Sequence, residues 1–492
     1  MNSDVGMTAS SEKDIDGRFL IYSGAQQSSA DPQFRLSASW AITLSDDLRL
    51  IKVNNRDHLI GWLLGVVVDL DVGIVVSDSL VIEVAPTLEV QWDAICRRCA
   101  GSWLYIAIDG EELEFRPDSC ATVGLVFDPS QRRAASYAYL LAGDEYQSRL
   151  NLAEREVNDV ERDGWFTAGL TAHSGIFRLL PNHRVNTRDF RMKRNPLRMP
   201  EYNENVDQTV DQMASEIAKV VAAVRADRPT EIGLTGGNET RAILAALRKQ
   251  SADVTFVTVA FEASIIDVHL SKRIAKTHGL NHRILPQKKA DERQQELWLI
   301  GAGHAMAGSN KHFHPSMEPL AGHVLVGGLG GEVGRGFLWP STLSADEQIS
   351  DAYILARLKQ PLSPENLAAL THWRTQLPGN LDAFQVLDLA YLELRMGTWA
   401  CAQPRMPMVP RAIHPLISYN QFSRMWSIPP AIRQGDQMIR VLIQRNWSEL
   451  LDIPVNKYGD FRDHLFLFNR IIKRPDKVLR KIKQILHSKL RD

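Results

Sequence analysis

Two patterns of apolar positions divide the chain. Up to about residue 200, short β-branched or alternating stretches recur: WAITL (40–44), LRLIKV (48–53), SLVIEV (79–84), SWLYIAI (102–108), ELEFR (112–116) and TVGLVF (122–127). Polar and glycine-containing turns separate them, and this spacing predicts packed antiparallel sheets. The most apolar run, 59–76, is interrupted by Asp69 and Asp71 and rich in Val and Gly, which predicts buried strands rather than a membrane span. Residues 191–205 are basic, contain two prolines and lack periodicity, so they read as a linker. Apolar residues then recur at helical spacing over 206–225. A strand (EIGL, 231–234), a glycine turn and a helix (RAILAALRKQ) follow, then a second strand (254–261) and a second helix (268–279). Strands alternating with helices predict a parallel sheet with crossover helices. From about residue 340 the pattern is mainly helical.

The length of 492 residues exceeds one hydrophobic core and predicts two or three domains. Lys plus Arg is 57 and Asp plus Glu is 58, a near-neutral balance that argues against a nucleic-acid binder. Cys96, Cys99, Cys120 and Cys401 are too few for a disulfide scaffold, and a reducing cytoplasmic setting is expected. Cys96 and Cys99 have CxxC spacing without a second ligand pair, so they read as structural or incidental thiols, with a zinc or redox pair as the alternatives. The polar N-terminus is not a signal peptide. The basic, partly amphipathic tail at 470–492 could touch an anionic membrane surface or be an exposed, solvated helix.

The stretch Leu234-Thr235-Gly236-Gly237-Asn238-Glu239-Thr240-Arg241 joins an apolar strand to an amphipathic helix. Adjacent glycines let the backbone approach a ligand, and the helix start offers free N–H groups and a positive dipole end. Thr235 and Thr240 add hydroxyls, Glu239 is an oxygen ligand for magnesium, and Arg241 adds positive charge. These parts suit pyrophosphate; a tight strand-to-helix turn is the plain alternative. Neither GxxxxGK[ST] nor GxGxxG is present.

The loop resembles the SGGxDS loop of the ATP pyrophosphatases. Residues 253–285, with Phe261, Asp267, Ala275, Gly279, Leu280 and His282, resemble the second strand and helix of the asparagine-synthetase ligase domain. Residues 324–337, VLVGGLGGEVGRGF, resemble that family's second glycine loop. The resemblance places Val259, Gly327, Gly328, Gly330 and Gly331 at ATP, and Glu239 and Glu332 at Mg2+. Residues 391–420 resemble the region that closes the family's ligase domain, with Glu393 and Arg395 in the catalytic positions and Glu393 facing the amine. The segment 453–461 resembles the one whose lysine, here Lys457, stabilises departing pyrophosphate. A surface ion pair for Glu393 and a solvated loop lysine for Lys457 are the alternatives. In the N-terminal half, 98–127 and 173–190 resemble the family's glutaminase domain, with Asn182 in a glycine position.

The chain departs from the family in three places. It begins Met1-Asn2-Ser3, without the leading cysteine a glutaminase of this type needs, so glutamine hydrolysis is not expected. Glu239 stands where the pattern has aspartate. Arg335 stands where it has a small or apolar residue, and Phe337 replaces tyrosine.

The expected architecture joins α/β and α+β parts. An Ntn-type antiparallel β sandwich flanked by helices occupies 1–190, and a linker spans 191–205. A parallel-sheet ATP pyrophosphatase domain (adenine nucleotide α-hydrolase-like) with extra helices occupies 206–462, followed by the tail at 463–492. The expected activity is an AMP-forming ligase using ATP and Mg2+ to join a small-molecule, peptide or glycan carboxylate to an amine. It would act without nucleic acid, as a monomer or homodimer. The alternative is a non-catalytic relative that binds ATP or serves as an accessory protein.

Overall fold

The computed structural model describes residues 15–24, 33–162, 164–203, 205–261, 264–399 and 403–464. The tail from 465 onward and Cys401 lie outside the described residues.

The N-terminal half is two facing sheets. One runs in the order 177–178, 126–128, 133–135, 19–23, 40–44 and 33–35, and its strands pair antiparallel. The other is built around the long pair His58–Asp69 and Cys99–Asp109. Alternation along these two strands sets the layers, because successive side chains point to opposite faces. Leu64, Leu104 and Ile106 face the first sheet and pack with Ile21 and Ile42. Leu63, Trp103 and Tyr105 face the other way, onto Trp92 and Ile95 of the helix Leu88–Arg98. Tyr139 and Leu141 of the helix Ala138–Ala142 cover the far side of the first sheet. The result is a helix–sheet–sheet–helix stack.

Three expectations need correction here. The second sheet is not wholly antiparallel: Leu50–Asn55 and Ser79–Ile82 pair in parallel. The stretch 191–205 is not all linker, since Met192–Arg194 pairs with His183–Asn186 at a sheet edge. The run 122–127 contributes only Val126–Asp128 as strand.

The C-terminal half is organised by five parallel strands. Their spatial order is Asn281–Pro286, Thr255–Ala260, Thr230–Gly233, Val324–Val326 and Arg411–Ile413, or 3-2-1-4-5 in chain order. The helix Val206–Asp227 links the halves: its Val220 and Val224 pack with Val66 and Ala100 of the sandwich and with Val324 and Ile413. Helices dominate after residue 350. Among the described residues, no helix is long and apolar enough to cross a membrane. Cys96 and Cys99 are buried, and burial pushes both thiols well above their ordinary range, so they are inert structural groups.

Candidate active site between two glycine loops

In a sheet ordered 3-2-1-4-5, crossovers leave the first and fourth strands in opposite directions. A crevice opens between them at their carboxyl ends, the usual ligand position in open α/β sheets. Both glycine loops fall there. The first follows Thr230–Gly233 and leads into the helix Asn238–Ala246; the second follows the adjacent Val324–Val326.

The first loop is internally braced. The Thr235 N–H donates to Thr240 Oγ1 (3.1 Å), and the two hydroxyls bond each other (2.9 Å). The Gly237 N–H donates to Thr235 Oγ1 (3.1 Å) and the Gly236 N–H to Asp267 Oδ1 (2.8 Å). Leu234 is fully buried behind the loop. No side chain caps the helix start at Gly237, which leaves the positive end of the helix dipole at the carboxyl end of the strand.

The second loop packs directly onto the first. A Cβ at Gly328 would lie 2.9 Å from Glu239 Cβ, and one at Gly331 would lie 2.7 Å from Glu239 Cγ. Gly327 lies equally close to the His414 ring. Gly330 has φ +96°, a conformation that favours glycine. These contacts explain the glycines at 327, 328, 330 and 331. They also bring Glu332 beside Glu239: burial, then the Glu239 charge, raises the Glu332 carboxyl above its ordinary range.

Arg335 is the cation of this cleft. Its Nε lies 3.2 Å from Glu239 Oε1, close enough for an ion pair although not aligned as a hydrogen bond, and 3.7 Å from Asp436 Oδ1. Asp436 in turn accepts from Asn238 Nδ2 (3.2 Å). No sequence signal pointed to Asp436, which reaches the loop from nearly two hundred residues away.

The same contacts bear on magnesium. Glu239 and Glu332 adjoin, but Glu239 already has a guanidinium as counter-ion. Among the described residues, no group of three or more His, Cys, Asp or Glu side chains is set to hold a metal. No preformed cage is present: two adjoining carboxylates stand at the seam, and Arg335 supplies positive charge beside Glu239. Replacing Arg335 by glutamine is therefore expected to leave two carboxylates, Glu239 and Asp436, without their guanidinium. The stability cost should be small, within about 1 kcal/mol for partly exposed pairs. The variant's thermal midpoint should rise with added magnesium more than the wild type's does; equal responses would show that Arg335 does not stand in for a metal.

The remaining predicted residues divide. Arg241 is not at the phosphates. It is fully buried, and its guanidinium donates to the carbonyls of Gly236 (3.1 Å), Leu450 (3.1 Å), Ile453 (2.6 Å) and Pro454 (2.5 Å). Burial pushes its pKa down to about 10. Its role is to clamp the 450–456 segment to the loop. The Asn456 N–H also donates to the Gly236 carbonyl (3.1 Å), which sets the exposed Lys457 next to the first loop. Val259 is half-buried at the carboxyl end of its strand.

Glu393 does not face the crevice. It lies on a π-helical turn, Ala390–Met396, and is fully buried. Arg194 binds both its oxygens (2.6 Å each), with Asn182 Nδ2 (2.9 Å) and Trp373 Nε1 (2.6 Å). Its carboxylate is consumed by structure. Asn182 has φ +58°, a left-handed conformation that asparagine tolerates better than most residues. Arg395 projects elsewhere: its guanidinium sits over the rings of Trp165 (4.9 Å), Phe337 (5.4 Å) and Trp399 (5.7 Å). Arg335 lies over the same Phe337 (5.3 Å). Arg395 thus connects to the second loop through Phe337.

No protein-family model matches the chain, and no curated protein matches it. Among solved structures, the NAD+ synthetase from Burkholderia pseudomallei is 12% identical over 50% of this chain and 89% of its own, with a TM-score of 0.17. Likeness at that level establishes neither a fold nor an activity.

Proposed function

We propose that the protein binds ATP between its two glycine loops and uses it to activate a carboxylate for amide formation. The observation that carries this reading is the juxtaposition of two glycine loops at the carboxyl ends of adjacent strands where the strand order reverses. An uncapped helix start faces the same crevice, which favours phosphate.

In this reading a substrate carboxylate attacks the α-phosphorus of ATP. The P–O bond to pyrophosphate breaks, and an acyl-adenylate forms. Lys457, Arg335 and the helix N–H groups would carry the charge that develops on the leaving pyrophosphate. An amine then displaces AMP and an amide results. Glu393 is too enclosed to take the amine's proton in this arrangement. Gly328→Val tests the ATP position, because the added side chain meets Glu239 at the seam of the two loops. ATP affinity measured by calorimetry should fall at least tenfold. An unchanged affinity would mean that ATP is not held between the loops.

A second reading, nucleotide binding without turnover, is favoured by one observation: the Arg335–Glu239 pair fills the place where catalytic metal would be expected. ATP binding with no phosphoanhydride cleavage in the presence of acids and amines would select it.

A further inference from the structure

A cavity of about 570 Å³ lies between the sandwich and the parallel sheet. Val259 and Leu325 of the sheet line it, and Leu329 of the second glycine loop closes one end. Phe261, Phe313, Met317 and Met406 make apolar walls. The other end is different. Arg411 opens the strand Arg411–Ile413, Arg228 lies two residues before Thr230–Gly233, and His323 directly precedes Val324–Val326. This end therefore lies at the amino ends of the strands, roughly 10 Å from the glycine loops at about 3.3 Å per residue.

Two arginines at that end are incompletely paired. The Arg411 side chain is only 10% exposed. Its Nη2 donates to the Asp47 carbonyl and lies 3.3 Å from Asp47 Oδ2. Its Nη1 has no hydrogen-bond partner among the described residues, and neither has Nη1 of Arg405. The two guanidiniums are neighbours: burial first, then the Arg405 charge, pushes Arg411 down to about 10. Asp47 cannot satisfy both, because it also accepts from the Ser45 hydroxyl (2.5 Å) and the Gly17 N–H (2.9 Å). Asp16, the other acid here, has its carboxyl raised by burial and then by Asp47. Both arginines line the cavity, so their charge is presented to an anion bound there.

We propose that this chamber binds an amphipathic carboxylate. The carboxylate is held by the charge of Arg405 and Arg411, which both line the chamber, the body lies on Phe261, Phe313 and Met317, and the far end reaches the second glycine loop. A cavity of this size, apolar along its walls and polar at one end, is of the kind that encloses a small amphipathic organic ligand. That the bound molecule is the acid the enzyme activates, through a second carboxyl at its far end, rests on the ligase reading; the anion site itself does not.

Calorimetric titration of the full chain with suberate, octanoate and neutral 1,8-octanediol tests the proposal. Both carboxylates should bind saturably and the diol should not. Arg405→Gln should weaken both at least tenfold. Arg411 also holds Asp47, so a variant there can fail to fold; Met317→Trp, which fills the apolar wall, provides the independent check and should abolish binding. Circular dichroism confirms that each variant is folded. No saturable binding of either carboxylate, or binding that survives both substitutions, would overturn the proposal. ATP titrated separately distinguishes the two readings: carboxylate binding without ATP binding defeats the ligase and leaves the anion site standing.

Discussion

Replacing Glu393 by alanine is expected to cost about 3–5 kcal/mol of folding stability, the range seen when one member of a buried ion pair is removed. The substitution would leave Arg194, 6% exposed, without its carboxylate, and would free the Trp373 and Asn182 donors as well. These contacts tie the π-helical turn to a sheet edge and to the helix Pro364–Thr375. The effect should appear in denaturant unfolding of the protein without any ligand. A catalytic Glu393 on an open surface would give the opposite pattern, near-normal stability with lost activity. The pH dependence has a definite sign. Burial raises the carboxyl, but the Arg194 charge and hydrogen bonds prevail and hold it below its ordinary value of 4.5. A depressed folded-state pKa contributes stability that is present above the unfolded value and is lost as pH falls through the folded one. The wild type should therefore lose this contribution only below the ordinary carboxylate range, and Glu393→Gln should lack that acid-dependent component.

The second large effect is expected at Arg241. Arg241→Leu would strip donors from four carbonyls, three of them in the 450–454 segment. Hydrogen bonds to a charged group contribute roughly 1.5–3 kcal/mol each and are not additive, so a loss of about 3 kcal/mol or more is expected. The local consequence is more specific. With the clamp gone, Lys457 is no longer held beside the first loop, and amide exchange over residues 450–457 should rise while exchange in the sandwich stays unchanged. Uniform protection across 450–457 in the variant would show that Arg241 does not position this segment. Lysine is not expected to rescue, because one ammonium cannot span four carbonyls in the planar fork that arginine provides.

Local pattern carried much of this structure. The strand–loop–helix around 235–240, the second glycine loop and the helix over 206–225 all depend on short-range spacing, and they appear near their expected bounds. Alternation likewise marked the long strands of the sandwich. Orientation was harder to read. Arg241 follows a phosphate-like loop in sequence, yet it points inward because its partners come from the 450s. Glu393 looks like a helix-surface acid until Arg194, 199 residues away, is brought to it. The strand Arg411–Ile413 has three residues between Pro410 and Pro415, too few for periodicity to register, although it completes the parallel sheet. Met192–Arg194 was hidden in the same way among prolines and basic residues. In each case a long-range contact overrides what the neighbouring residues suggest.

Arg335 changes the chemistry most. In the sequence it is an odd residue in a glycine loop. In the fold it is the positive charge facing Glu239 and Asp436, so the cleft is partly neutralised before any ligand arrives.

The central claim is that ATP is cleaved at the α-phosphorus to activate a carboxylate. Phosphorus NMR of ATP incubated with the protein, a panel of carboxylates and hydroxylamine tests it most directly, since hydroxylamine traps an acyl-adenylate as a hydroxamate. The predicted result is AMP and pyrophosphate with hydroxamate in equal amount, lost in Gly328→Val. Formation of ADP and inorganic phosphate would contradict the account.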